Sequence, residues 1–353
     1  LQYFPSLSRF ISRRFYVNEE NEGIVLCKKV LRGMARVTKF VFLALAVVLL
    51  LSTAIHQVLT AAEKQRFSPL GDMVSVDGQR MSLYVTGSGA HTIVLMPGLG
   101  TASPICDFMP LAERLAKNNR VVIVEPFGYG WSDTTAKART VENIVSELRA
   151  ALQADHIEGP YVLMPHSISG LDAIYYANTY PDEVAAVVGI DCTLPKMDAY
   201  FGETLPEHIP GAAGLLCPMG AMRWITLLSP DNFISENSAG YYSDENMAMQ
   251  RRIAGWTADN CNVIDQMNHI AQNIDTTQGM AFSPDMPLLF FTRDGSTQSP
   301  RADGKTSVSF FETYISNESC QQVEALNGHH YLHWADADKM AAETTTFLSR
   351  QFG

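Results

Sequence analysis

Two serines and three histidines stand where they could do chemistry. Ser167 and Ser169 lie in YVLMPHSISGLDAIYY (161–176), where an apolar run meets the opening of a helical pattern, and His329, His330 and His333 crowd into NGHHYLHW (327–334). An uncharged serine hydroxyl is a poor nucleophile until a base takes its proton, and an imidazole can do so near neutral pH. A strand-to-helix elbow would present such a serine. It holds the nucleophile in a strained backbone conformation and needs small residues two places before and after, because main chains crowd there. Around Ser169 those places hold Ser167 and Leu171, and Leu171 is too bulky. Around Ser167 they hold Pro165 and Ser169. Ser169 is small enough, whereas Pro165 is a departure, having no amide hydrogen for a central strand ladder. The plain alternative is a serine-rich helix cap after a strand.

An elbow needs a sheet to project from, and the chain has the material for one. Its 353 residues are 46% hydrophobic and carry a net charge of −11. That balance suits a substantial core and one large domain, and it argues against disorder and against nucleic acid as a partner. MVSVDGQRMSLYVTG reads as two strands joined at Asp77-Gly78. The runs 92–96, 121–124, 161–164, 185–190, 287–291 and 322–326 are short and apolar, as strands buried on both faces must be. Between them, Val141, Ile144, Val145, Leu148 and Leu152 repeat at helical spacing behind a Thr140 cap. Leu171, Ile174 and Ala177 do so before Pro181. Strands alternating with helices predict a doubly wound, mostly parallel α/β sheet. The stretch from about 195 to 285 is too long for a plain connection, so it is expected to be a mostly helical cap, inserted after the sixth strand, with at least one helical stretch near Glu245–Ile274.

Ahead of this domain, expected to span 67–353, lies KFVFLALAVVLLLSTAIHQVLTA. It is uncharged from Phe40 to Ile55 and apolar to about Leu59, with Lys28, Lys29, Arg32, Arg36 and Lys39 before it. The length fits a membrane-spanning helix over 37–60, and the basic flank places the domain outside the cell. A cleaved signal would release it instead. Residues 1–36 are basic and aperiodic, and Met34 opens a compact leader, so the start before Met34 is expected to be over-long. The six cysteines, Cys27, Cys106, Cys192, Cys217, Cys261 and Cys320, form no C-x-x-C and predict no metal site. If the domain is exported, Cys217–Cys261 is the expected pair. No phosphate-binding glycine fingerprint is present, and no cofactor is expected.

Four segments together resemble the α/β-hydrolase family. PHSISGLDAIYYANTYPDEVAAVVGID is similar to its elbow, following helix and next strand, with Pro165 and Ser169 in place of two glycines. LMPGLGTAS (95–103) resembles its oxyanion loop, VVIVEPFGYGWSD (121–133) the segment after its fourth strand, and NGHHYLHW its terminal histidine loop. The order matches, and the resemblance spans roughly 73–350. It implies a Ser-His-acid hydrolase with Ser167 as nucleophile. The base by resemblance is His330, which precedes an aromatic residue, or else His329, which stands where a glycine is usual; His333 is expected to be structural. His166 is expected to pack or bond within the elbow. The acid is Asp191, at the end of the sixth strand, or Asp294, near the usual position at Ser296. Otherwise Asp191 caps a strand and Asp294-Gly295 is a turn. The oxyanion donors by resemblance are the amides of Leu99 and Ile168. The implied substrate is a small-to-medium ester, less readily an amide, with Met219, Met222, Trp224, Met247, Met249 and Trp256 as candidate pocket residues that fit simple cap core as well. Two other readings are a cofactor-free perhydrolase and a catalytically degenerate binding or sensor domain at the membrane surface.

Overall fold

The computed structural model describes residues 7–205, 207–295 and 301–353, leaving aside the side chains of 7–27 and 230. It divides into two compact units, Leu1–Ile55 and His56–Gly353. The elements run α1 (Leu7–Arg66), β1 (Asp72–Val76), β2 (Gln79–Thr86), β3 (Thr92–Met96), α2 (Pro104–Leu115), β4 (Arg120–Glu125), α3 (Val141–Ala154), β5 (Tyr161–Pro165), α4 (Ser169–Thr179) and β6 (Val184–Ile190). They continue with α5 (Met197–Phe201), α6 (Ala221–Leu228), α7 (Asp244–Thr257), α8 (Cys261–Thr277), β7 (Leu288–Arg293), α9 (Ser307–Glu312), β8 (Gln321–Leu326), α10 (Leu332–Ala335) and α11 (Ala337–Phe352).

Eight strands form one sheet in the order β1-β2-β4-β3-β5-β6-β7-β8. The β1–β2 hairpin joins antiparallel to β4, and every other pairing is parallel. Asp77 and Gly78 turn the hairpin with φ of +51° and +80°, the left-handed conformations that such a tight turn demands. Strands β3 to β7 are apolar because helices cover both faces. Side chains of alternate residues enter two cores, Val94 and Leu163 on one side, Ile93 and Val162 on the other.

Pro165 sits where the β5–β6 ladder is interrupted. The regular register ends at Leu163 opposite Val187 and resumes only as an isolated bridge between His166 and Ile190. The missing amide hydrogen therefore leaves a strand end rather than a ladder short of a donor.

The segment between β6 and β7 is helical, as α5 to α8. The helical stretch expected near 245–274 is there as two helices, α7 and α8. Asp259, with φ of +48°, breaks it, and the Asn260 side chain accepts from the amides of Asn262 and Val263 to start α8. Thr140 stands at the N-cap of α3, but its side chain makes no capping bond; Asn273 of α8 accepts the Val141 N–H at 2.9 Å. Cys217 and Cys261 are both free. Cys217 is buried and donates to the Trp256 carbonyl at 2.9 Å, while Cys261 is exposed at the start of α8. The expected disulfide is thus absent.

Within α1, the segment Lys28–Arg66 is long and apolar enough to cross a membrane, with a mean hydropathy of 2.3 in its most apolar window. A signal sequence has the same properties.

Candidate active site

The turn after β5 is pinned from both sides. The His166 amide donates to the Met96 carbonyl of β3 (2.9 Å) and the Ser167 amide to the Ile190 carbonyl of β6 (3.2 Å). The Ser167 carbonyl accepts from Gly170 (3.0 Å) and Thr193 (2.7 Å). Between these anchors Ser167 adopts φ of +54°, which costs an L-residue on the order of 1 kcal/mol or more. Close approach explains the small neighbours. A Cβ at Gly98 would lie 2.8 Å from His166 Nδ1 and 3.1 Å from the Ser167 Cβ, and one at Gly170 would lie 2.2 Å from the Thr193 carbonyl. Ser169 is buried, and its hydroxyl donates to the Pro97 carbonyl at 2.5 Å, tying the loop after β3 to the elbow.

His330 stands between Ser167 and Asp191. Its Nε2 lies 2.7 Å from Ser167 Oγ and its Nδ1 2.7 Å from Asp191 Oδ2. An ionised carboxylate only accepts, so Nδ1 carries the proton and Nε2 accepts from the serine hydroxyl. Asp191 is buried at the end of β6, with φ of +38°. Its Oδ1 accepts from Thr292 Oγ1 at 3.1 Å, and its Oδ2 also pairs with Arg293 Nε at 2.9 Å. Asp294 is bonded through its amide to the Leu326 carbonyl of β8 (2.9 Å); the carboxylate on His330 Nδ1 is that of Asp191. Ser296 lies outside the described residues.

The other histidines are committed elsewhere. His329 Nδ1 accepts from the Tyr331 amide (3.1 Å), and its Nε2 is 3.3 Å from Glu236. His166 is fully buried, and its Nε2 lies 3.1 Å from the His330 carbonyl. Because a carbonyl can only accept, Nε2 bears the hydrogen and bare Nδ1 faces Gly98. Burial, with the nearby His333 and His330, holds His166 well below the usual histidine range, so it stays neutral at pH 7.

Sequence reasoning missed Asp107. It lies in the first turn of α2 and is buried. Its Oδ2 is 2.8 Å from His333 Nε2, and its Oδ1 accepts from Trp334 Nε1 (2.6 Å) and Ser235 Oγ (2.8 Å). One carboxylate thereby joins α2, the helical insertion and the histidine loop. An acid in a helix's first turn is unremarkable in sequence, so only the three converging donors reveal it. Asp172 is also buried, and desolvation pushes its carboxyl up to about 7. Glu125 at the end of β4 is likewise raised to about 7 by burial, although it accepts the Trp131 amide at 2.8 Å.

The amides of Leu99 and Ile168 flank Ser167, and among the described residues neither donates to a protein acceptor. A cavity of about 270 Å³ opens alongside, lined by Gly100, Thr101, Phe233, Ser235, Tyr331 and Trp334 among others. The methionines and tryptophans expected to line a pocket do not line it. Met222 and Trp256 are buried in small cores of their own, and Trp224 is exposed. No group of three or more metal-ligating side chains occurs among the described residues.

A sequence signature described as the alpha/beta hydrolase fold matches residues 91–210. The uncharacterised protein YbdG of Bacillus subtilis is 36% identical over 325 residues, 91% of this chain and 99% of that one. The chain belongs to the α/β-hydrolase fold family. A 2-(acetamidomethylene)succinate hydrolase of Mesorhizobium japonicum is 29% identical over 119 residues, 33% of this chain and 42% of that enzyme. The enol-lactonase of Burkholderia xenovorans superposes with a TM-score of 0.55 at 16% identity, covering 79% of this chain and all of the lactonase; the likeness is one of fold.

Proposed function

We propose that this α/β-hydrolase cleaves a carboxylic ester, less readily an amide, through an acyl-enzyme on Ser167. The observation that carries the reading is His330 at 2.7 Å from both Ser167 Oγ and Asp191 Oδ2. Ser167 Oγ attacks the carbonyl carbon as its proton passes to His330 Nε2. The imidazolium so formed is stabilised across Nδ1 by Asp191, which keeps its own charge. Negative charge gathers on the former carbonyl oxygen, and the amides of Leu99 and Ile168, which need not leave another partner, receive it. Collapse expels the alcohol, which takes the proton from His330. Water then attacks the acyl-enzyme by the same route, with His330 as base, and the acid leaves. Asp191 carries the acid role in this reading, and Asp294 has none.

Serine labelling of the full chain in detergent with a fluorophosphonate, followed by peptide mapping, tests the proposal. The expected adduct is on Ser167. Ser167→Ala is expected to lose labelling and to lower p-nitrophenyl ester turnover by roughly 10⁴-fold or more, with melting behaviour unchanged. A folded Ser167→Ala chain that kept its turnover would sink the assignment. The apolar stretch before the domain supports a membrane anchor, with the hydrolase domain on the outer face. Resistance of the chain to extraction from membranes by alkaline carbonate is the corresponding measurement.

A further inference from the structure

Helix α6 (AMRWITLL) is inside out. Its buried positions are Met222, Arg223 and Thr226, two of them polar, while Trp224, Ile225, Leu227 and Leu228 are exposed by 43, 44, 66 and 84%. A helix on a water-facing surface buries its apolar stripe and shows its polar one. Leu215 and Leu216, just before it, are exposed as well. Among the described residues after α1 eight large hydrophobic side chains are exposed, and six of them fall between 215 and 228. Scattered exposed leucines are ordinary, but a concentrated patch marks a surface with a partner.

The inverted polar face shows where that patch lies. Arg223 reaches the closing turns of α1, which belong to the same compact unit. Its Nη2 and Nη1 contact both carboxylate oxygens of Glu63 (2.7 and 3.0 Å), Nη2 also meets Thr60 Oγ1 (2.9 Å), and Nε lies 3.2 Å from His56 Nδ1. Glu63 also accepts from Trp256 Nε1 at 2.6 Å, and Gln57 donates to the Pro218 carbonyl at 3.0 Å. The apolar run in the sequence ends at about Leu59. The residues that hold α6 are therefore those at which the chain would leave a bilayer.

We infer that the apolar face of α6, with Leu215 and Leu216, lies in the headgroup and upper acyl region of a lipid bilayer. The inference rests on reading the apolar stretch as a membrane-spanning segment. A short amphipathic helix with tryptophan and leucines on its outer face is suited to that depth. The Arg223–Glu63 pair then holds α6 beside the residues at which the chain leaves the bilayer. The connection from α6 runs on to Phe233 and Ser235 in the wall of the cavity beside Tyr331. Esters dissolved in the lipid surface are accordingly the substrate class within easiest reach.

The test uses the full chain in phosphatidylcholine vesicles, with Cys27, Cys261 and Cys320 changed to serine. A nitrobenzoxadiazole fluorophore is attached at Leu228→Cys in one sample and at Glu318→Cys, an exposed polar position, in another. Brominated lipid is expected to quench the label at 228 several-fold more strongly than that at 318, with blue-shifted emission at 228 alone. Equal, weak quenching at both positions in a chain that floats with the vesicles and resists carbonate would overturn the placement of α6 and leave the anchor standing. A chain that does not float at all would overturn both.

Discussion

Arg293 is the residue whose role follows most directly from geometry. It shares Asp191 Oδ2 with His330 Nδ1, at 2.9 and 2.7 Å. The guanidinium holds the Asp191 carboxylate in place against the imidazole ring, and in the proposed reaction that carboxylate orients His330. Arg293→Gln is expected to lower kcat for an ester several-fold, while the fold and KM are retained. An unchanged kcat would leave Arg293 with a packing role only. At this scale the serine and histidine were legible in sequence, because the elbow's steric demand singles out Ser167 and the aromatic residue after His330 marks it by resemblance. Asp191 was left in competition with Asp294, since only three-dimensional reach decides which carboxylate meets a ring nitrogen. The Ser169 hydroxyl on the Pro97 carbonyl was invisible for the same reason.

At the scale of elements, every expected strand is present: β3 to β7 are buried on both faces and leave a continuous apolar trace, the β1–β2 hairpin shows in its Asp77-Gly78 turn, and the half-exposed edge strand β8 shows in its short apolar run. Helix α2 left no such trace in the reading, nor did the break between α7 and α8. That break depends on one left-handed aspartate and an asparagine cap, a signal confined to two residues. The Asp107 knot belongs here, since it fastens α10 and the histidine loop to α2. Asp107→Ala removes the acceptor for His333, Trp334 and Ser235 and leaves buried donors unpaired. A loss of about 2–5 kcal/mol in unfolding free energy is expected, read from denaturant melts. Ester turnover is expected to fall as well, because the loop carrying His330 is released. Retained stability in the variant would mean that packing alone holds the loop.

For the molecule as a whole, the buried acids set a pH dependence. The Asp172 carboxyl is raised in the folded state from an ordinary 3.8 to about 7. Its contribution is therefore complete below about pH 4 and is lost as pH rises through 7, where the unfolded chain ionises freely and the folded one resists. Glu125 acts in the same sense. Neutral His166 opposes them, since below about 6.5 the unfolded chain gains a proton that the folded one refuses. Asp172→Asn is expected to flatten the fall in stability between pH 5 and 8, by up to about 3 kcal/mol. Melting temperatures of both proteins at the two pH values measure it, and parallel curves would remove Asp172 as the source. The order of the groups along the chain has a consequence of a different kind. Ser167 and Asp191 precede His330 by 163 and 139 residues, and β8 must be in place before the histidine loop can close over them. On the mechanism proposed above, a nascent chain holding Ser167 and Asp191 but not yet His330 has no base and is inert for most of its synthesis. Hydrolytic power then arrives late and in a single event, when the base is delivered to a serine that has long been waiting.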